Sequence, residues 1–377
     1  MLYLDHAATT PIDPEIRLGM MQRFESDFAN PSSKHALGRK ARQALESARA
    51  RIAAVIGAQA AQILFTGGGT EALGMAVLGS AGDQAARIAI SAVEHSAVSE
   101  AAYWLRERLG WQVDVLPVDE QGRVKLPELI AAVNAQTRIV AVMLVNNEVG
   151  SINDIAAIAG VLRRKCPRAK FVVDAVQAFA KMPVDVDALG ADMVAFTSHK
   201  IHGPKGIGGL WVKRPTTLRP VFLGGGQEAG LRGGTQSVPL AWAFAEAAER
   251  QQNTDKTQPG HAERLFSLIQ ELVPEVQLVG CPFGSQRAPH ILSLHLPGLP
   301  SGTLLNALDQ AGVCCSAGSA CTRSAKQNFS KVLSAMGRRP EEGAFLRFSM
   351  GRTTTDLEIE IAAQRFAQCV ADLNEVF

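Results

Sequence analysis

Two short stretches hold the residue types that can do chemistry. Phe171-Val-Val-Asp174-Ala-Val-Gln177 is followed by Thr197-Ser198-His199-Lys200. An acid and a lysine gathered in this way suit an electron-sink cofactor: the carboxylate keeps a ring nitrogen protonated and the lysine holds a carbonyl as a Schiff base. The second stretch, Gly318-Ser-Ala-Cys321-Thr-Arg, sets one thiol among small residues. Such a loop is expected to be mobile and its sulfur exposed, unlike a buried structural cysteine. A Schiff-base lysine beside a mobile thiol points to taking sulfur off an amino acid.

Singly, these residues have plainer readings. An Asp at the end of a strand is most often a helix N-cap, and a lone lysine there is usually a solvated charge. Thr66-Gly-Gly-Gly-Thr70 follows an apolar run and opens a helical stretch. Its N–H groups and the Thr70 hydroxyl suit a phosphate, but glycine turns after strands are common. It is neither a Walker A loop nor a GxGxxG fingerprint. The joint pattern of Asp174, Gln177, Thr197, His199, Lys200 and the loop Gly203-Pro-Lys-Gly shifts the balance toward a cofactor site.

The elements that must position these residues are legible as periodicity. Short apolar runs recur at Ile63, Ile88, Val113, Ile139, Phe171 and Met193, with helical segments between most of them. Strands alternating with helices imply a parallel sheet covered on both faces, with ligands beyond the carboxyl ends of the strands. Residues from about Ser32 to Ile56 read as one amphipathic helix. The polar stretch from Gln251 to Gly260 marks a domain boundary. Beyond it, His290-Ile-Leu-Ser-Leu-His-Leu and Phe345-Leu-Arg-Phe-Ser read as alternating strands with one solvated or cleft-facing side. Helices are expected at Gly302–Ala311 and Thr355–Glu375, making a smaller α+β domain.

Composition sets the outer limits. The chain has 377 residues, more than one ordinary core holds. Hydrophobic residues make up 47% and charged residues 20%, as in a soluble globular enzyme. A net charge of +2 gives no pull toward nucleic acid or acidic membranes. No apolar run approaches the roughly 20 residues of a membrane span. Met1-Leu-Tyr-Leu-Asp-His lacks the features of a signal peptide, so a cytoplasmic location is expected. The six cysteines include no CxxC pair, which argues against a zinc knuckle or a disulfide framework; no metal is expected. Cys314 and Cys315 read as a strand entering the core, with structural roles.

With these residues in place, the chain resembles the cysteine desulfurases of the NifS/IscS type, within the fold-type I, class V aminotransferase group. The resemblance covers nearly the whole chain. It is carried by Leu4-Asp-His-Ala-Ala-Thr-Thr-Pro, Asn30-Pro-Ser-Ser-Lys-His, Phe65-Thr-Gly-Gly-Gly-Thr-Glu, Glu94-His95, Asn146-Asn147-Glu-Val-Gly, Asp174-Ala-Val-Gln177, Ser198-His-Lys-Ile-His-Gly-Pro-Lys-Gly, Arg232-Gly-Gly-Thr235, Gly318-Ser-Ala-Cys321-Thr and Arg347-Phe-Ser-Met-Gly-Arg.

The resemblance implies a large α/β domain over residues 14–255, with a mostly parallel seven-stranded sheet. Residues 1–13 and 256–377 would form the small domain that carries the cysteine loop. Lys200 would carry pyridoxal 5′-phosphate. Asp174 would pair with its pyridinium nitrogen, Gln177 would contact the phenolic oxygen, and His95 would stack on the ring and take part in proton transfer. Gly69, Thr70, Thr197 and His199 would hold the phosphate, and Thr235 would reach the phosphate of a neighbouring subunit, implying a homodimer. Asn147 and Arg347 would bind L-cysteine; a guanidinium fork suits a carboxylate. Cys321 would attack the substrate sulfur, keep it as a persulfide and pass it to an acceptor protein, an iron–sulfur scaffold or a sulfur relay.

The chain also departs from the family's pattern. Its glycine loop reads Gly67-Gly-Gly-Thr70 where Ser-Gly-Ala-Thr is commoner, and Leu73 and Gly74 replace a polar pair. Ala325-Lys-Gln-Asn-Phe stands where a Leu-Glu-Pro-Ser-type segment is usual. Only Asn374-Glu-Val-Phe377 follows the last helical stretch, so docking of the usual scaffold through a C-terminal tail is not expected. The alternatives are another class V enzyme, a selenocysteine lyase or an aminotransferase; a transaminase would not need the Cys321 loop. A regulatory protein retaining the fold ranks lowest, because Lys200, Asp174, Thr70 and Thr235 are all present.

Overall fold

The computed structural model describes residues 1–253, 260–317 and 329–375. Strands β1 (Leu2–Tyr3), β2 (Ile63–Thr66), β3 (Arg87–Ser91), β4 (Gln112–Leu116), β5 (Thr137–Met143), β6 (Lys170–Asp174), β7 (Met193–Thr197) and β8 (Gly208–Val212) are followed by β9 (Gln277–Leu278), β10 (Ile291–Leu296), β11 (Val313–Cys314), β12 (Ser316–Ala317) and β13 (Ala344–Ser349). Seven of them form one sheet in the order β2-β8-β7-β6-β5-β3-β4. Pairing is parallel except around β8, which runs antiparallel to β2 and β7. This is the mostly parallel sheet that the sequence leads one to expect.

Alternation along the strands builds a core on each face. Val140, Val142, Phe171, Val173 and Phe196 turn to one side, against helices Pro14–Ser26, Ala36–Val55, Ile155–Lys165 and Val238–Gln252. Ile139, Ala141, Val172, Met193 and Ala195 turn to the other, against Gly69–Leu78 and Ser96–Leu109. Both faces are apolar because both are covered.

The second sheet is antiparallel, in the order β12-β13-β10-β9. Leu292, Leu294, Leu346 and Phe348 pack with helices His261–Leu272, Ser301–Gln310 and Asp356–Asn374 in a separate core. β1 pairs with β11, Leu2 opposite Val313, so the N-terminus joins this second layer. On that basis we propose the division into residues 14–255 and 1–13 plus 256–377; the junction itself falls outside the described residues.

Two expectations need correction. β10 and β13 were expected to keep one solvated side, yet every residue of both is buried. Ile291 and Phe345 belong to the large core, so the face opposite the helices is covered by the other layer; only the cleft-facing half of the expectation stands. The helix expected from Ser32 begins at Ala36. Ser32 N–H donates to the Asn30 side chain in a turn, and the His35 ring caps the helix by accepting from Gly38 N–H.

One buried ion pair ties β2 into the large layer. Arg49 donates through both Nη atoms to Glu228, at 2.6 and 2.9 Å, and to the Ile63 carbonyl at 2.8 Å. Glu228 also accepts from Phe65 N–H and from Gln236. Burial alone would raise the Glu228 carboxyl, but the Arg49 bonds hold it below its ordinary value. Arg49→Met leaves this carboxylate buried without its cation, a change that costs about 3–5 kcal/mol. Urea unfolding of variant and wild type measures the loss; a difference under about 1 kcal/mol would refute the assignment.

Candidate active site

β2 and β7 run the same way on either side of β8, so five strands bring their carboxyl ends to one edge of the large sheet. Thr66–Thr70 follow β2, His95 follows β3, Asn146 and Asn147 follow β5, Asp174–Gln177 end β6, and Lys200 closes the single turn Ser198–Lys200 after β7. The strand order reverses between β3 and β5, where ligands settle in open α/β sheets. A cavity of about 350 Å³ opens here. Gly69, Thr70, His95, Asn147, Asp174, Gln177, Thr197, His199 and Lys200 line it, and Arg347 closes it from β13. Of the residues picked out from sequence, Thr235 is exposed and does not line this cavity, and Cys321 lies outside the described residues.

Asp174 closes a turn with its own side chain. Its Oδ1 accepts from Val176 N–H at 2.8 Å, as a cap does. Among the described residues no hydrogen bond reaches its Oδ2. Burial pushes the carboxyl up, while the Val176 bond and the nearby His95 and Lys200 pull it down; the net direction is upward. A buried acid with one free oxygen is a partner for a cationic ring nitrogen.

His95 caps helix Ser96–Leu109 with its own ring: Nδ1 accepts from Ala97 N–H at 3.1 Å. The neutral ring therefore carries its proton on Nε2. Burial, together with Lys200 against a counter-pull from Asp174, lowers its pKa and favours the neutral form. His199 is pushed down to about 4 by burial and by Lys200; its Nδ1 lies 3.2 Å from the Thr9 hydroxyl.

The glycine turn fits a phosphate by shape as well as by its N–H groups. A Cβ on Gly69 would lie 2.8 Å from Val176 Cγ2, and one on Gly208 would lie 2.7 Å from the Gly68 carbonyl carbon. Glycines therefore let β8 and the Asp174 turn close up behind the helix N-terminus. Glu71 braces the turn, accepting from Gly67 N–H at 3.0 Å and from Arg232 at 2.8 Å.

Several functional neighbours escaped the sequence reading. The N-terminal segment supplies backbone acceptors: Lys200 Nζ donates to the Ala7 and Ala8 carbonyls at 2.6 and 2.5 Å, and Gln177 Nε2 donates to Ala7 at 2.9 Å. Asp5 anchors Arg347 at 2.6 Å while the Asn147 carbonyl takes its other Nη at 2.8 Å. Arg347 Nε is buried with no partner among the described residues, and the residue lines the cavity, where a guanidinium suits a carboxylate. Glu148 faces the same cavity, accepts from Ser330 at 2.5 Å, and is raised to about 7 by burial. Asp5 and Glu148 sit inside quoted motifs, which was the available signal. A carbonyl oxygen leaves none.

A lysine, a buried acid and a glycine turn at the carboxyl edge of such a sheet define a cofactor-dependent α/β enzyme. The chain belongs to the class-V aminotransferase family, whose model matches residues 2–361. It is 35% identical to the cysteine desulfurase IscS 1 of Archaeoglobus fulgidus, over 96% of this chain and 94% of that one. It is 38% identical to the cysteine desulfurase IscS of Pseudomonas putida, over 100% and 94%. Among solved structures, a NifS-like protein superposes with a TM-score of 0.89 at 31% identity, covering 98% of this chain and 99% of its own. A second, described as SspA in complex with cysteine, gives 0.81 at 28% identity, over 94% and 100%.

The family's cofactor is pyridoxal 5′-phosphate, and the residues present fit it. Asp174 keeps an oxygen available, the first turn of helix Gly69–Leu78 has N–H groups without intrahelical acceptors, and Lys200 lines the same cavity.

Glu94, beside His95, gives a pH test of the site's electrostatics. Its Oε1 accepts from Ser91 at 2.5 Å and Met143 N–H at 2.7 Å, while its Oε2 is buried and unpartnered. Burial raises the carboxyl to about 8. The folded chain then holds a proton that the unfolded chain releases above pH ~4.5, so this group lowers stability as pH rises from about 4.5 to 8. Glu94→Gln removes that slope and makes the variant more stable than wild type at pH 8 by about 1 kcal/mol or more. Unfolding titrations at pH 5 and pH 8 check it; parallel behaviour of the two proteins would exclude a neutral Glu94.

Proposed function

We propose that the protein is a pyridoxal-phosphate-dependent cysteine desulfurase: it converts L-cysteine to L-alanine and leaves the sulfur as a persulfide on Cys321, for delivery to an acceptor in iron–sulfur cluster, thio-cofactor or tRNA-thiolation pathways. The observation that carries the reading is the convergence of Lys200, Asp174 and Arg347 on one cavity. It is supported by the names of the relatives, and by the sequence Gly318-Ser-Ala-Cys321, which a transaminase would not need.

The cofactor, when bound, supplies an electron sink for the substrate's α-carbon. The protein's own groups do the rest. Arg347, held by Asp5 and Asn147, turns its guanidinium to the cavity and would bind the substrate carboxylate there. Lys200 takes a proton from the α-carbon; Nε2–H of His95 is the nearby donor. Cys321, as thiolate, attacks the substrate sulfur. A sulfur–sulfur bond forms, the carbon–sulfur bond breaks with its electron pair left on the β-carbon, and one proton added there and one returned to the α-carbon complete alanine. A free thiol is only a few per cent ionised at neutral pH, so the reading requires a base for it.

The same reading makes the protein a homodimer. Phe222 and Leu223 are exposed next to the segment holding Thr235, and Phe222 lines a second opening together with Gly67, Thr70 and His199. Large apolar residues beside a phosphate site suit coverage by a second subunit. A cytoplasmic location suits the thiols too: Cys166, Cys281, Cys314, Cys315 and Cys369 are all free. Among the described residues no helix is long and apolar enough to cross a membrane.

The purified protein should carry the visible absorption band of its bound cofactor, change its spectrum on adding L-cysteine under a reductant, and form alanine and sulfide in equal amounts. Cys321→Ala should keep the absorption band and lose at least about a hundredfold in sulfide formation. Wild-type sulfide release by that variant would remove Cys321 from the reaction, and an absorption band without alanine would point to another class V reaction. Sedimentation should report twice the 40.1 kDa chain mass; a monomer that turns over would refute the role given to Thr235.

A further inference from the structure

A side-chain amide has a donor end and an acceptor end of nearly the same shape, so its neighbours decide which end faces a cavity. For Gln177 the neighbours leave no choice. The Ala7 carbonyl, 2.9 Å from one end, can only accept, so that end is the NH₂. Lys181 Nζ, 3.3 Å from the other, donates to Oε1. Each NH₂ carries two hydrogens and Ala7 uses one. The second remains for the cavity that Gln177 lines.

Lys181 is held where it can do this. Ala180 adopts a left-handed conformation, φ 59°, which costs a non-glycine residue about 1 kcal/mol. That turn brings the following side chain back toward Gln177 instead of out to solvent. Burial and the charges of Lys200 and Arg347 push the Lys181 ammonium down to about 7. The neutral amine keeps N–H groups, so the bond to Oε1 outlasts the charge.

We propose that Lys181 is a positioning residue that locks the Gln177 amide with its NH₂ toward the active-site cavity, so that the site offers a donor, and therefore selects an anionic oxygen, at that point. The inference rests on the pyridoxal phosphate reading, in which that oxygen is the phenolate of the cofactor ring. Without Lys181, nothing among the described residues holds Oε1. The amide is then free to present its acceptor end, which repels an anionic oxygen.

The test is a double-mutant cycle on the full-length chain, titrated with pyridoxal phosphate and followed by absorbance. Lys181→Met should weaken cofactor binding about tenfold, the loss of one hydrogen bond to a charged group. Lys181→Arg, which keeps a cationic donor, should come within about threefold of wild type. Gln177→Ala should weaken binding by itself, and adding Lys181→Met to it should change the constant less than about twofold, because the lysine acts through the amide. Wild-type binding by Lys181→Met would overturn the proposal. So would full additivity in the double variant, which a merely structural lysine would give. Failure of the wild-type chain to bind the cofactor would overturn the parent reading, and this inference with it.

Discussion

The carbonyl oxygen of Ala7 is the point on which the site depends. It accepts from Gln177 and from Lys200, while the N–H of the same residue donates to Ser349 on β13. Two residues earlier, Asp5 holds Arg347; three residues later, the Thr10 N–H and hydroxyl both donate to the His199 carbonyl. A segment with no regular structure of its own thus has its polar groups satisfied by both layers. Buried backbone groups must be paired, so this strap cannot move without breaking contacts on both sides. The distance between Lys200 and Arg347 is set by it.

Charge around this strap is managed by burial. Burial, with the charges of Lys200 and Arg347, depresses Lys181; burial also depresses His95 and His199 and pushes Glu94, Glu148 and Asp174 up. The result is a set of histidines kept neutral and carboxyl groups raised toward neutrality. Glu148 and Glu94, raised to about 7 and about 8, exchange protons near physiological pH at little cost. Asp174 differs from Glu94 in having nearby cations and one oxygen open to the cavity, so two acids a short way apart are set up for different states.

The large sheet was readable because a parallel sheet covered on both faces writes continuous apolar runs, and its site residues fall at the ends of those runs. Asp174 and Lys200 could be found that way. The second sheet was harder to read. Ser293, His295 and Arg347 look like a wet face by alternation, but His295 stacks on Phe345 with its ring 4.6 Å away and bonds to the Glu342 carbonyl, so polarity there is satisfied inside the protein. Lys181 had a signal, its four-residue spacing from Gln177, which is the spacing of side-chain pairs on a helical turn. The link between Asp5 and Arg347 had none, since their meeting depends on β1 joining β11 across almost the whole chain.

The antiparallel strand β8 has a consequence for how the chain assembles. Among the described residues β2 pairs only with β8 within its sheet, so the strand ahead of the glycine turn has to wait for residues 208–212 before it has a neighbour. Strands β3 to β7 can pair with one another before that. Loop-closure entropy must be met before such distant contacts repay it. The glycine turn is therefore among the parts of the site completed late, after Lys200 and Asp174 already stand on adjacent strands. β1 waits longer still, for Val313. On a ribosome, the strap that fixes Lys200 is made about 300 residues before the strand that anchors it and is one of the last segments to find its place.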